Sequence, residues 1–260
     1  MSTPPTPFVL VSSFVFGACI GSFLNVCIYR IPLGRSVVSP RSQCLRCASQ
    51  LAWYDNIPLV SYVILAGCCR ACGARFSFRY FGVEALTGLL GALIVYRFGL
   101  SLPSLGFFVL GAALVVVSYI DLDHQIIPDV ISLPGVLFGV GFSAVNPALS
   151  WQSSLLGVAL GAGILFALAL GYQALTGRQG MGGGDVKLLA MIGAFLGWRA
   201  VLFTLLLASF LGSAVGLGTM IRQHSDTKLA LPFGPFLTCG ALGYIFFGEA
   251  VIAWYFGVFR

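Results

Sequence analysis

Eight apolar runs, near residues 8–28, 81–100, 104–120, 127–145, 154–175, 186–198, 200–221 and 232–257, account for most of this chain. Runs of this length and apolarity are the mark of helices that cross a bilayer. Of the 260 residues, 58% are hydrophobic and only 8% charged, whereas ordinary soluble domains carry about 25% charged residues. The expected fold is therefore an all-α polytopic membrane protein with about eight transmembrane segments. The sixth run is short for a span and follows a glycine-rich stretch, which predicts a tilted or broken helix. The first run lacks a basic leader region and continues into Tyr29-Arg30-Ile31-Pro32 rather than a small-residue cleavage site. It reads as a retained span, not a cleaved signal.

Basic residues gather on cytoplasmic loops of membrane proteins. Seven arginines lie within residues 30–80, and alternation of the spans places Arg178, Lys187, Arg222 and Lys228 on the same side. The other side receives only Arg97, Arg199 and Arg260. This asymmetry predicts a cytoplasmic 30–80 loop and an external N-terminus. The net charge of +6 then reports topology, aided by anionic lipid, and not a nucleic-acid partner. The expected organisation is a first transmembrane segment over 1–29, a small cytoplasmic domain over 30–80 and a transmembrane core over 81–260.

The loop holds two Cys-x-x-Cys pairs, Cys44 with Cys47 and Cys69 with Cys72, separated by 21 residues. Two such knuckles near this spacing are the pattern of a tetrahedral zinc site with four thiolate ligands. A loop of about 50 residues has too little core to fold unaided, so a metal staple makes physical sense. With all four ligands supplied by protein, the zinc is expected to be structural. A redox dithiol is the other reading, and two pairs on the reducing side of the membrane argue against it. Cys19, Cys27, Cys68 and Cys239 read as small hydrophobes.

Only eight acids occur, and four of them fall in two places. "YIDLDHQIIPD" carries Asp121, Asp123 and Asp129; "GRQGMGGGD" delivers Asp185 to the start of the sixth run. On the predicted topology both lie at the cytoplasmic surface, and acids in or beside a bilayer are costly unless they act. Asp123 and His124 also fit a polar helix end, and Asp129 after Pro128 fits a first-turn acid stabilised by a helix N-terminus. Asp121 stands closest to the apolar run, and Gly182, Gly183 and Gly184 strip side chains from around Asp185 so that an extended substrate can approach. Two carboxylates brought together in a low-dielectric site share one proton. One then takes a proton from water while the other donates to the scissile bond, as in aspartic proteases. The rival reading is a transporter or channel in which the two acids form a proton relay. The glycine run lacks the lysine and hydroxyl of a phosphate loop. The Gly17–Gly21 and Gly157–Gly161 spacings read as helix packing.

These residues together resemble the type IV prepilin peptidases, membrane enzymes of type IV pilus and type II secretion systems. The likeness runs through "GACIGSFLNVCIYRIP", the paired cysteines, "DNIPLVSY", "RYFGVEALTG", "DLDHQIIPD", "GMGGGDVKLLAMIGAFLGW" and "LPFGPFL". The Gly182-Gly183-Gly184-Asp185 stretch fits the G-x-G-D signature shared with presenilin-like intramembrane proteases. The resemblance implies a bacterial inner-membrane enzyme that cleaves a short basic leader from prepilins or pseudopilins at the cytoplasmic face. It implies Asp121 and Asp185 as the catalytic pair. It also implies N-methylation of the new N-terminus by S-adenosylmethionine, a region that maps onto Gly21, Asn25, Arg30, Gly67 and Glu84. The loop departs from the family pattern at Ala66 and Cys68, where basic residues are usual, and at Phe81, where proline is frequent.

Overall fold

The apolar runs become helices because each is an unbroken stretch of apolar side chains punctuated by proline, glycine or a polar cap. The computed structural model describes residues 5–177, 182–223 and 231–258. Among these there is no strand, only isolated bridges between Gln43 and Gln50 and between Cys68 and Arg75. Arg178, Lys228 and Arg260 of the charge asymmetry lie outside the described residues, as do Gly180 and Met181 of the glycine-rich stretch. Two compact units form, Met1–Val116 and Val117–Arg260.

In the first unit, α1 (Pro7–Arg30) pairs with α3 (Phe78–Phe98), and the polar loop between them holds a 3-10 turn at Trp53–Asn56 and the short α2 (Val60–Ile64). Ser77 caps α3 by accepting from the Arg79 N–H at 3.2 Å. The α1–α3 contact is backbone-close. A methyl at Gly17 would stand 2.6 Å from the Thr87 carbonyl, and one at Gly21 would stand 2.8 Å from Glu84 Cα. The first half of α4 (Leu102–His124) completes this unit.

In the second unit, α5 (Asp129–Phe142), α6 (Trp151–Thr176), α8 (Trp198–Gln223) and α9 (Gly234–Gly243) surround α7 (Gly183–Leu196). A π-helical turn at Tyr244–Gly248 leads into α10 (Glu249–Val258). Leu188, Leu189, Met191, Ile192 and Ala194 of α7 are fully buried, so this helix is the core of the unit. In lipid, helix association draws on close packing of small residues rather than on escape from water. Gly157 and Gly161 of α6 supply it, lying against the α7 backbone at Gly193 and Leu189. Ser154 adds a hydrogen bond to the Ala194 carbonyl at 2.7 Å. A side chain at 161 would begin 2.6 Å from the Leu189 carbonyl oxygen. Gly161→Val is therefore expected to cost about 2–3 kcal/mol by overpacking. A thermal melt in detergent that matches the parent protein would count against this packing.

Six helices among the described residues are long and apolar enough to cross a membrane. The expected count of eight is not confirmed. The fourth and sixth runs form α5 and α7, each of 14 residues, or about 21 Å at 1.5 Å per residue, short of a hydrocarbon core of about 30 Å. α7 is buried inside the protein, whereas α5 exposes Val130, Leu133, Leu137 and Phe138. The outer faces of α6 and α8 expose Phe166, Leu168, Leu206 and Phe210, as a lipid-facing surface requires.

Candidate active site and cysteine cluster

Near its C-terminal end α4 turns Asp121 inward, leaving it 5% exposed, while Asp123 and His124 are exposed. Gln125 (φ +53) breaks the helix directly afterwards. Asp121 Oδ2 accepts a hydrogen bond from the Gly234 N–H at 2.8 Å. Asp185 sits half-buried in the first turn of α7, near enough for the charge on Asp121 to act on it. Two carboxyl groups far apart in the chain thus come within electrostatic reach of each other.

The segment between them is pinned twice. Lys187 Nζ pairs with both oxygens of Asp129, at 2.7 and 2.8 Å, tying the start of α5 to the start of α7. A methyl on Gly184 would stand 2.8 Å from Ile127 Cβ, so this glycine serves packing. Gly182 and Gly183 are exposed, with no side chain close to where theirs would lie. Sequence reasoning passed over Gly234. A Gly-Pro pair opening an apolar run is a helix-start signal, but nothing local says which carboxylate it meets.

In the first unit the four loop cysteines converge, their sulfurs all within 4.8 Å of one another. Sulfurs at the corners of a tetrahedron with bonds of about 2.3 Å stand about 3.8 Å apart, and Cys44 and Cys72 are 3.8 Å apart. The two knuckles have one backbone design. Cys44 N–H donates to Ser49 O and Ala48 N–H to Cys44 O; Cys69 N–H donates to Ala74 O and Gly73 N–H to Cys69 O. Ala48 and Gly73 take the same left-handed conformation, with φ +55 and +67. The Ser49 hydroxyl, 2.9 Å from Cys47 Sγ, pulls that thiol down to about 6, toward the thiolate a metal needs. This four-cysteine cluster can hold a metal ion. Cys68 stands apart from it, its sulfur donating to the Ala66 carbonyl at 3.5 Å.

Beside the cluster lies a cavity of about 430 Å³, lined among others by Asn25, Arg30, Cys44, Gly67 and Glu84. That volume falls in the range of small-molecule sites, about 300–1,000 Å³. Gly21 is not part of the wall; it serves the α1–α3 packing. Arg30 donates to the carbonyls of Ser36 and Pro40 at 3.0 and 2.8 Å, shaping one side. Asn25 donates to the Tyr80 carbonyl at 3.0 Å. Gly67 (φ +67) leaves room for the Tyr62 ring, which a methyl there would meet at 2.8 Å. Leu59 (φ 63, ψ −47), joined to the wall through Glu84, is the centre of the rare, strained form of γ-turn, closed by Val60 N–H to Pro58 O at 2.6 Å. Glu84 Oε2 accepts the Leu59 N–H at 2.8 Å and holds it there. Strain of this kind costs about 1–3 kcal/mol and gathers at functional sites. The other acid in the wall, Asp55, is engaged by Arg70 at 2.7 Å.

Residues 15–98 match the Bacterial Peptidase A24 N-terminal domain, and residues 108–217 match the Type IV leader peptidase family. A protein of Aeromonas hydrophila named prepilin leader peptidase/N-methyltransferase is 34% identical over 267 residues, covering 93% of this chain and 92% of its own. The chain belongs to the type IV leader peptidase family. A Pseudomonas aeruginosa protein of the same name is 32% identical, covering 98% of this chain and 96% of its own. A Myxococcus xanthus relative so named is 44% identical over 213 residues, 81% of this chain but 63% of its own length. No solved structure gives a significant match. As a member of a peptidase family with six apolar helices of spanning length among the described residues, the protein is a multi-pass membrane enzyme. The transporter reading is not favoured.

Proposed function

We propose that this leader peptidase cleaves the basic leader of type IV prepilins or pseudopilins with an aspartyl pair, Asp121 and Asp185. The observation supporting the pair is the buried Asp121 carboxylate within electrostatic reach of Asp185. In the proposed reaction, the ionised carboxylate takes a proton from water as its oxygen attacks the scissile carbonyl carbon. The protonated partner donates to the carbonyl oxygen. The tetrahedral intermediate then collapses, the C–N bond breaks, and the departing amine leaves with a proton from the pair. Open space at Gly182 and Gly183 suits an extended substrate backbone beside Asp185. The substrate's apolar stem lies among the helices and its basic leader stays on the cytoplasmic side of the bacterial inner membrane, with the protein's N-terminus outside.

A second activity, N-methylation of the new N-terminus, is supported by the names of the relatives and by the cavity beside the cysteine cluster. S-adenosylmethionine supplies the methyl group when bound, and Asn25, Arg30 and Glu84 are the polar residues that would hold it. Zinc is the metal whose ligand set and sulfur spacing fit Cys44, Cys47, Cys69 and Cys72. Co-expression with a prepilin, followed by mass analysis of the mature N-terminus, tests both steps at once. The expected spectrum shows leader loss plus one methyl group. A full-length prepilin would reject the peptidase reading, and a processed but unmethylated terminus under donor excess would reject the methyl-transfer reading.

Glu84→Ala releases the Leu59 turn and removes an acid from the cavity wall. It is expected to lower methyl transfer about 10- to 100-fold, the loss of one charge-assisted hydrogen bond, with cleavage unchanged. Equal losses in both activities would place Glu84 in the general fold of the unit instead.

A further inference from the structure

Asp121 is held by the backbone of a helix remote in sequence. At the start of an α-helix the first N–H groups lack intrahelical acceptors. In α9 the donors of Phe236 and Leu237 both turn back onto the Phe233 carbonyl at 3.1 Å, and Pro235 has none. The Gly234 N–H is therefore the one that reaches out of this first turn, and it reaches Asp121 Oδ2 at 2.8 Å. A side-chain carbon at 234 would stand 2.7 Å from that same oxygen and 3.3 Å from the carboxyl carbon. Only glycine can bring its amide this close without pushing the carboxylate away.

The terminal torsion of an aspartate is broad, so an unpinned carboxylate presents either oxygen. An amide donor facing Oδ2 also favours the proton on the other oxygen, because a hydroxyl oxygen is a weaker acceptor than a carbonyl or carboxylate oxygen. We infer that Gly234 is a positioning residue for the carboxylate pair: its amide claims Oδ2 of Asp121 and leaves Oδ1 to share the proton with Asp185 and orient the water. The inference rests on the reading of Asp121 and Asp185 as the acid–base pair. It adds an asymmetry to that pair, imposed by the first turn of α9.

The test is an amide-to-ester replacement at 234, with glycolic acid incorporated in place of glycine in the full-length protein, which deletes the N–H and adds no side chain. The expected result is a fall of about 10- to 100-fold in kcat, with KM within about twofold of the parent. Gly234→Ala is expected to lose at least about 100-fold in kcat. Gly243→Ala on the same helix meets only the Leu207 and Phe203 side chains, at 3.2 and 3.7 Å, and is expected to cleave normally. If the alanine at 234 prevents folding, the ester decides. An ester variant with parental kcat, or one that changes KM alone, overturns the inference. Failure of the underlying pair looks different: Asp121→Asn would then cleave at the parental rate. An inactive Asp121→Asn beside a fully active ester variant sinks the role of Gly234 and leaves the pair standing.

Discussion

Asp121→Asn and Asp185→Asn are each expected to reduce cleavage of a purified prepilin by about 10³- to 10⁴-fold, the scale of lost acid–base catalysis. The substitution is nearly isosteric, and an asparagine carbonyl at 121 still accepts the Gly234 N–H, so insertion and folding should survive. What is lost is the capacity to exchange a proton. Because the two groups act as one unit, their effects should not add. The double variant is expected to be no slower than either single one. Circular dichroism and detergent melts matching the parent would show that the loss is chemical. Full activity in either single variant would remove the aspartyl mechanism.

The second large effect concerns the cysteine cluster. Elemental analysis of the purified protein is expected to give about one zinc per chain. Cys44→Ser should reduce this to background, because a structural site with one ligand gone loses most of a binding free energy of about 10 kcal/mol or more. Cys44 is buried and also lines the cavity. Its loss should expose residues 30–80 to proteolysis and weaken methyl-donor binding by at least about tenfold, while the long helices remain protected by the micelle. A metal-free protein whose loop resists protease as well as the parent would defeat the structural role.

The cysteine cluster was legible because each half of it is local. A Cys-x-x-Cys knuckle brings its two sulfurs together by its own turn, so spacing alone announces a metal-binding group. Its near-identical halves were less visible, since Ala48 stands where the other knuckle has Gly73 and must adopt the left-handed conformation that glycine takes easily. The aspartates were legible by rarity, as charges beside long apolar runs. Choosing between Asp121 and Asp123 was harder. Two positions along a helix point to nearly opposite faces, but α4 is apolar all round and gives no phase to read. In the structure Asp121 is buried and Asp123 exposed. The cavity with Glu84 and the strained Leu59 turn had no local signature either.

Composition and the length of the apolar runs were sufficient to determine a helical membrane protein, because in a bilayer those two properties leave little alternative. Ligand spacing likewise determined the four-cysteine cluster. Tertiary packing alone decided that α7 is the buried core helix of its unit, which of two neighbouring acids turns inward, and that the α9 amide at Gly234 meets Asp121. Each of these depends on which helix faces which, and a uniformly apolar surface carries no local preference for one neighbour over another.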